Sequence, residues 1–143
     1  MSRLKPERGL VISYGYLWHS EAVAGREEGV KERPVLIVSA TPQPEGWRRV
    51  VVLAITHAPP ADWDLAVEIP GAIRQHLRLD DGRCWIVLGE ANVFHWPGPD
   101  LGHSGPGGSL VYERVPPNFL EKVRREFAEA VRVGRARAVK RME

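Results

Sequence analysis

Cysteine is almost absent from this sequence, since Cys84 is the only one among 143 residues. A single thiol excludes an intramolecular disulfide and a zinc site built from cysteines. The apolar residues 85–88 follow it directly, and a cysteine in such a setting is typically a small buried side chain. We therefore expect Cys84 in the core rather than as a nucleophile.

Long hydrophobic runs and an excess of one charge are missing as well. The apolar runs are too short to cross a bilayer, and residues 1–8 lack the apolar core of a secretory signal, so we expect a cytoplasmic protein. The net charge is only +2, although basic residues crowd positions 122–141. This local patch is compatible with nucleic acid or an acidic partner, or with a solvated helix face and a frayed basic tail.

What the sequence does contain is a set of short β-type runs followed by one helix. The 143 residues correspond to one domain, and 43% hydrophobic residues suffice for a core. We predict strands at 9–18, 34–39, 48–56, 65–69, 84–96 and 110–115, a long loop at 19–32, a helical turn at 70–77 and a glycine-rich excursion at 97–109. The predicted fold class is mainly β with α, as a small bent sheet or open barrel.

The predicted helix begins near Asn118 and stops at Gly134. Asn118 with Glu121 three residues later forms a capping-box pattern. Apolar side chains then recur at three- and four-residue spacing, which gives one stripe for packing on the sheet. The stripe consists of Leu120, Val123, Phe127, Ala130 and Val131.

A candidate anion site is encoded where two predicted strands begin and end. A charged loop carries Glu28 and leads into Arg33-Pro34, which opens a β-branched strand. Proline lacks a backbone donor and suits the start of a strand, so the arginine lies at the strand mouth. The next strand ends in Thr56 and His57. An arginine, a carboxylate and a hydroxyl gathered at strand ends are suited to phosphate chemistry.

In this order, the features resemble the PemK/MazF (Kid-like) family of toxin endoribonucleases. The resemblance covers about residues 9–133 and rests on the first strand, the charged loop, the Arg33-Pro34 step, the strand-ending Thr56 and the closing strand that leads into the helix. Residues 85–98 resemble the PemK-like growth-inhibitor branch. The resemblance implies an SH3-like small β-barrel of the plasmid-maintenance toxin type with a C-terminal helix, and residues 134–143 then form a basic tail.

The resemblance also implies a function. Members of the family are toxins of type II toxin–antitoxin systems that cleave single-stranded RNA, often messenger RNA, without a metal or other cofactor. They are usually homodimers, and a cognate antitoxin covers the site with a disordered tail. By position, Arg33 corresponds to the loop-end arginine, Thr56 to the strand-three threonine and Glu28 to an acid that some members carry, with the adjacent Glu27 as a competitor.

Cleavage of RNA without a metal requires a base, a cation for the developing charge and a proton donor for the leaving oxygen. Arg33 supplies a bidentate fork, unless it only pairs with Glu32. Thr56 can bind the phosphate or be an ordinary strand residue. The proton is taken by Glu28, unless Glu28 is only a solvated loop acid, or by His57. In a regular strand His57 points to the face opposite that of Thr56, so it reaches the site only if the strand bends near Pro59 and is otherwise a structural histidine with satisfied hydrogen bonds.

Further residues are predicted to contact RNA. Lys31 lies on the loop before Arg33, and Trp18 and Trp96 lie beside loops where their rings could stack on bases. Trp63 and Trp85 are instead predicted as core or dimer contacts. The remaining histidines are scattered without ligand spacing, so no metal site is expected.

Two other functions remain open from the sequence. A small barrel of this kind could be a non-catalytic binding module, because fold does not fix function. A gyrase-directed toxin could use the same architecture. The pairing of Arg33 with Thr56 favours the nuclease over both.

Overall fold

A computed structural model describes residues 5–25 and 31–141. Within these residues the strands and helices follow the order β1 Leu10–Gly15, α1 His19–Val23, β2 Glu32–Pro42, β3 Arg48–Thr56, β4 Ala66–Glu68, α2 Gly71–His76, β5 Trp85–Val87, β6 Glu90–Trp96, β7 Val111–Arg114, α3 Pro117–Arg132 and β8 Arg137–Lys140. The described chain is therefore mainly β with a helix near its C-terminal end, as the composition and patterning predict.

Strand β3 is the centre of the sheet. One edge of β3 pairs with β2, and the other edge pairs with β6 through its first residues and with β5 through its last two. The sheet continues from β2 to β1 and β7, and from β5 to β4, with every one of these neighbours antiparallel. Strand β8 joins β6 in parallel. The described strands form one bent sheet, with β4, β7 and β8 each paired on one side only.

The central strands are buried on both faces. Alternate residues of β2 enter two different clusters, with Leu36 and Val38 in one and Val35 and Ile37 in the other. This explains why the middle parts of β2 and β3, residues 35–38 and 50–55, are continuous apolar runs rather than alternating ones.

The two clusters consist of different residues, and we name each by a feature of its members. The first, which we call the helix-side core, includes Leu36, Leu53, Leu77, Cys84, Phe119 and Val123. The second, which we call the tyrosine-side core, includes Ile12, Tyr14, Tyr16, Val35, Ile37 and Phe94. Cys84 is 1% exposed, which confirms its prediction as a buried core residue.

Helix α3 packs on the sheet by most of the predicted stripe. Val123 and Ala130 are buried, and Leu120 and Phe127 pack against the helix-side core. The fifth predicted member, Val131, is instead 53% exposed. The buried face of the helix therefore departs from the predicted stripe at Val131, near the end of the helix. At the start of the helix, Phe119, which is not part of the predicted stripe, is buried.

The start of α3 also differs from the prediction. The helix begins at Pro117 after Pro116, without a side-chain cap, so the predicted capping box of Asn118 and Glu121 is wrong. Asn118 lies inside the first turn, where it cannot cap. A proline at the first helical position already has a helical φ and lacks an N–H that would need a partner.

Residues after Gly134 do not behave as a frayed tail. Arg137–Lys140 form β8, so the prediction that residues 110–115 are the last strand is wrong. Val139 is buried in this strand, and the next residue, Arg141, is buried as well. Four residues with a single buried aliphatic side chain give too short a pattern to identify a strand, and the pairing with β6 joins positions far apart in sequence.

Three smaller predictions also need correction. The apolar run at 84–96 is two strands, β5 and β6, which pair with different ends of β3. The loop predicted at 19–32 contains helix α1. Trp63 and Trp85 are predicted as core or dimer contacts; Trp63 is 59% exposed and so is not a core residue, whereas Trp85 is 3% exposed and belongs to the core. No described helix is long and apolar enough to cross a membrane.

Candidate functional site

The candidate site lies where β2 begins and β3 ends. Arg33 is the second residue of β2 and Thr56 is the last residue of β3. The two strands are antiparallel, with Val35 opposite Ala54. This pair is the last of the ladder, and Arg33 and Thr56 lie two residues beyond it, where both line one cleft. The structure therefore brings these two predicted residues together.

A cleft of about 500 Å³ opens beyond these strand ends. We call it the polar cleft, and its polar lining consists of Lys31, Glu32, Arg33, Thr56, His57, Arg78, Asp80, Ser104 and Tyr112. Lys31, Arg33, Thr56 and His57 are residues that the sequence predicts for the site. Arg78 and Tyr112 are additions, because they come from distant parts of the chain that long-range pairing brings to the same place.

Arg33 is half-buried at the edge of the polar cleft. Its guanidinium carbon lies 5.0 Å from the centre of the Trp18 ring. Burial lowers the pKa of Arg33, while the nearby Glu21 carboxylate raises it. Arginine remains charged under such a shift because its reference pKa is above 12. Among the described residues its buried Nε has no hydrogen-bond partner, and no carboxylate forms an ion pair with its guanidinium.

The alternative that Arg33 merely pairs with Glu32 is wrong for the described residues. Neighbouring residues of a strand point to opposite faces, so the two side chains diverge. The Glu32 carboxylate accepts a hydrogen bond from the backbone N of His103 at 2.8 Å and another from Ser13 Oγ at 3.4 Å. The Arg33 guanidinium therefore has no bound acid at its strand and is suited to an anionic ligand.

His57 lines the polar cleft even though it follows Thr56. The chain bends after β3, so both residues border the space beyond the strand end. The Nδ1 of His57 lies 3.0 Å from the carbonyl oxygen of Arg83. A carbonyl only accepts, so Nδ1 carries the hydrogen of this bond and the neutral ring keeps its lone pair on Nε2. His57 is therefore in the tautomer that a general base needs.

Thr56 closes the turn after β3 through its side chain. Its Oγ1 accepts a hydrogen bond from the backbone N of Ala58 at 3.1 Å. The hydroxyl hydrogen is not used in this bond, so it can be donated to an oxygen of a ligand in the cleft.

The remaining predicted residues are placed differently. Glu28, together with its competitor Glu27, lies outside the described residues. Lys31 is exposed at the rim of the polar cleft, and Trp18 lies against Arg33. Trp96 does not line this cleft, because its ring lies beside Phe94 with centroids 6.3 Å apart, on the tyrosine-side core.

The segment that carries Trp18 is held by buried polar contacts. Tyr16 Oη donates to Glu90 Oε1 at 3.1 Å, and the backbone N of His19 donates to the same oxygen at 3.0 Å. Asn92 bridges the backbone N and O of Leu17 at 2.8 and 2.7 Å. Burial, followed by the Glu90 carboxylate, raises the pKa of Tyr16. These contacts fix the position of the tryptophan next to Arg33.

Sequence reasoning missed this support, although one signal was present. Asn92 interrupts the apolar run of β6 and is fully buried. A buried amide needs partners, so its position already indicates that a backbone segment must pass beside the strand.

Comparison of the chain with protein-family models, with curated proteins and with solved structures yields no match. Within the described ranges, no group of three or more histidine, cysteine, aspartate or glutamate side chains is arranged to hold a metal ion.

Proposed function

We propose that this chain is a metal-independent endoribonuclease that cleaves single-stranded RNA, the toxin of a type II toxin–antitoxin system. The observation that carries the proposal is the half-buried Arg33 without an acidic partner among the described residues, in one cleft with Thr56 and His57. The PemK/MazF-like order of elements in the sequence supports the same function. An SH3-like arrangement of the sheet, a homodimer and a cytoplasmic location belong to this proposal.

The proposed reaction transfers the phosphorus from the 5′-oxygen to the neighbouring 2′-oxygen. The 2′-hydroxyl attacks phosphorus and loses its proton to Nε2 of His57 or to Glu28, while the bond to the 5′-oxygen breaks and that oxygen takes a proton from water. Arg33 holds the phosphate through its fork and stabilises the charge that develops on it, and the Thr56 hydroxyl donates to a phosphate oxygen. The products are a 2′,3′-cyclic phosphate and a 5′-hydroxyl.

The proposed protein partner is an antitoxin with an extended acidic tail. Lys31, Arg33 and Arg78 outnumber the two acids of the polar cleft, Glu32 and Asp80, and an acidic tail can neutralise the remaining positive charge. An occupied cleft would exclude RNA.

The proposal is tested by incubating the purified protein with a long single-stranded RNA in EDTA and mapping the cut ends. We expect discrete cuts that carry a cyclic phosphate. Arg33→Ala should lower the cleavage rate roughly 100-fold or more, because one preorganised donor to the developing charge is lost. Arg125→Ala, an exposed arginine on α3, is the matched control and should cleave like the wild type.

Two results would contradict the nuclease. One is intact RNA at high concentration of a protein that circular dichroism shows to be folded. The other is an Arg33→Ala variant that cuts the same bonds at the wild-type rate. Glu28→Gln and His57→Gln, measured in parallel, identify the group that takes the proton.

A further inference from the structure

Two cavities of different character meet at the end of β3. The polar cleft holds Arg33 and His57, and a second cavity of about 350 Å³, which we call the apolar pocket, lies beside it. Thr56 and Ala58 line both cavities, so the end of β3 and the turn after it form their common wall. The lining of the apolar pocket includes Trp18, Thr56, Ala58, Pro59, Leu65 and Trp85.

Two tryptophans line the apolar pocket. Trp18 also contacts the Arg33 guanidinium, so it borders both the cation and the pocket. Trp85 is almost fully buried, and the exposed ring of Trp63 meets it edge-on with centroids 5.9 Å apart. Flat bases stack on aromatic side chains regardless of sequence. The chemistry of this pocket therefore matches a base, and that of the polar cleft matches a phosphate.

Two buried N–H donors at these cavities have no partner among the described residues. They are Nε of Arg33 and Nε1 of Trp85. A buried donor without an acceptor costs free energy, and in a native fold it calls for an explanation. Both atoms are closed to solvent, so an acceptor reaches them only when neighbouring side chains shift. A nucleotide offers a suitable acceptor to each, because it carries phosphate oxygens at one end and carbonyl or ring-nitrogen acceptors on its base.

We propose that the apolar pocket binds one base of the single-stranded RNA whose adjoining phosphate lies against Arg33. The proposal rests on the proposed function for its substrate class, and it adds a specificity-determining residue. Trp85 donates its indole N–H to an acceptor on the base, and Trp18 packs against the ring. The apolar pocket thus contributes to the choice of the bond that is cleaved.

Nucleotide binding tests this proposal without cleavage. The probes are the four ribonucleoside 3′-monophosphates and inorganic phosphate, followed through the indole N–H signals of the ¹⁵N-labelled protein. We expect at least one nucleotide to shift the Trp18 and Trp85 signals, and inorganic phosphate to leave the Trp85 signal in place. Trp85→Phe keeps the ring and removes the donor, so it should weaken that nucleotide about tenfold, as expected for one hydrogen bond, and leave phosphate affinity unchanged.

Two further variants keep the test decisive. Trp47→Phe is the matched control, because Trp47 stacks on His95 and lines neither cavity, so it should bind every probe like the wild type. Ala61→Trp covers the case in which Trp85→Phe does not fold. Ala61 is exposed and lines the apolar pocket, so a large ring there should block nucleotides and spare inorganic phosphate.

The proposal is overturned if no nucleotide moves the Trp85 signal, or if both Trp85→Phe and Ala61→Trp bind nucleotides as the wild type does. Its failure is distinct from failure of the nuclease. Nucleotides that shift Trp85 in a protein that leaves RNA intact support the base subsite and contradict the nuclease. Cleavage of RNA by a protein whose Trp85 signal no nucleotide shifts supports the nuclease and contradicts the base subsite.

Discussion

Tyr16 shows how the support of the site responds to pH. Its hydroxyl is buried and donates to Glu90, and this environment raises its pKa. In the unfolded chain a tyrosine loses its proton near pH 10, whereas in the folded chain Tyr16 keeps it. The unfolded state is therefore favoured as pH rises above about 10, and the stabilisation associated with this group is complete only below that pH.

We expect Tyr16→Phe to remove this part of the alkaline loss of stability. At pH 8 the free energy of unfolding should be lower for the variant than for the wild type, because Glu90 loses a donor. The gap between the two free energies of unfolding should narrow by about 1 kcal/mol by pH 11, because only the wild type loses the stabilisation that depends on the Tyr16 proton. Urea unfolding of both proteins between pH 8 and pH 11 measures the gap. A gap that stays constant over this range would show that the Tyr16 hydroxyl titrates as it does in the unfolded chain.

At the level of secondary structure, the sequence predicts best the elements that carry their own pattern. The bounds of β3 agree with the prediction at both ends, because an apolar run lies between a glycine-containing turn and the two prolines at positions 59 and 60. Strand β8 was missed because its stability comes from distant residues. Arg141, just after β8, donates to the carbonyl oxygen of Gly15 at 2.8 Å and to Tyr14 Oη at 3.0 Å, and it forms an ion pair with Asp100.

Helix α2 ends in a conformation that its sequence does not favour. Arg78 has a φ of 57°, and the backbone N of Leu79 bonds back to the carbonyl oxygen of Arg74 at 3.1 Å. This left-handed position is normally occupied by glycine, because a β-carbon is strained there.

We therefore expect Arg78→Gly to stabilise the fold by about 1 kcal/mol. Arg78→Asn should give a smaller gain, since asparagine tolerates this backbone better than most side chains. The urea concentrations at which the wild type, Arg78→Gly and Arg78→Asn are half unfolded at neutral pH test this prediction. An Arg78→Gly variant that unfolds at a lower urea concentration would mean that side-chain contacts of Arg78 outweigh the strain.

Over the whole molecule, the sequence predicts the part of the site that neighbouring strand ends supply. Arg33 and Thr56 lie at the ends of two consecutive strands, so a hairpin is enough to bring them together. Arg78 and Tyr112 reach the same cleft through contacts between elements that are far apart in the sequence. Local sequence patterns contain no information on such contacts. Trp96 lies opposite Arg48, at the other end of β3 from Thr56, so a place beside a loop in the sequence does not make it a neighbour of this cleft.

The position of Cys84 has a consequence for observing the molecule. The thiol is buried, it lines the polar cleft, and burial raises its pKa. A thiolate attacks a disulfide reagent only when it is exposed, so the reaction of Cys84 with such a reagent must wait for this region to open. The rate at which Cys84 reacts with such a reagent therefore measures how often the cleft opens, and the measurement needs no label on the protein. A short 2′-O-methylated RNA that fills the cleft should lower the reaction rate of Cys84 in proportion to the fraction of protein that has bound RNA. An unchanged rate at saturation would mean that the RNA binds elsewhere on the surface.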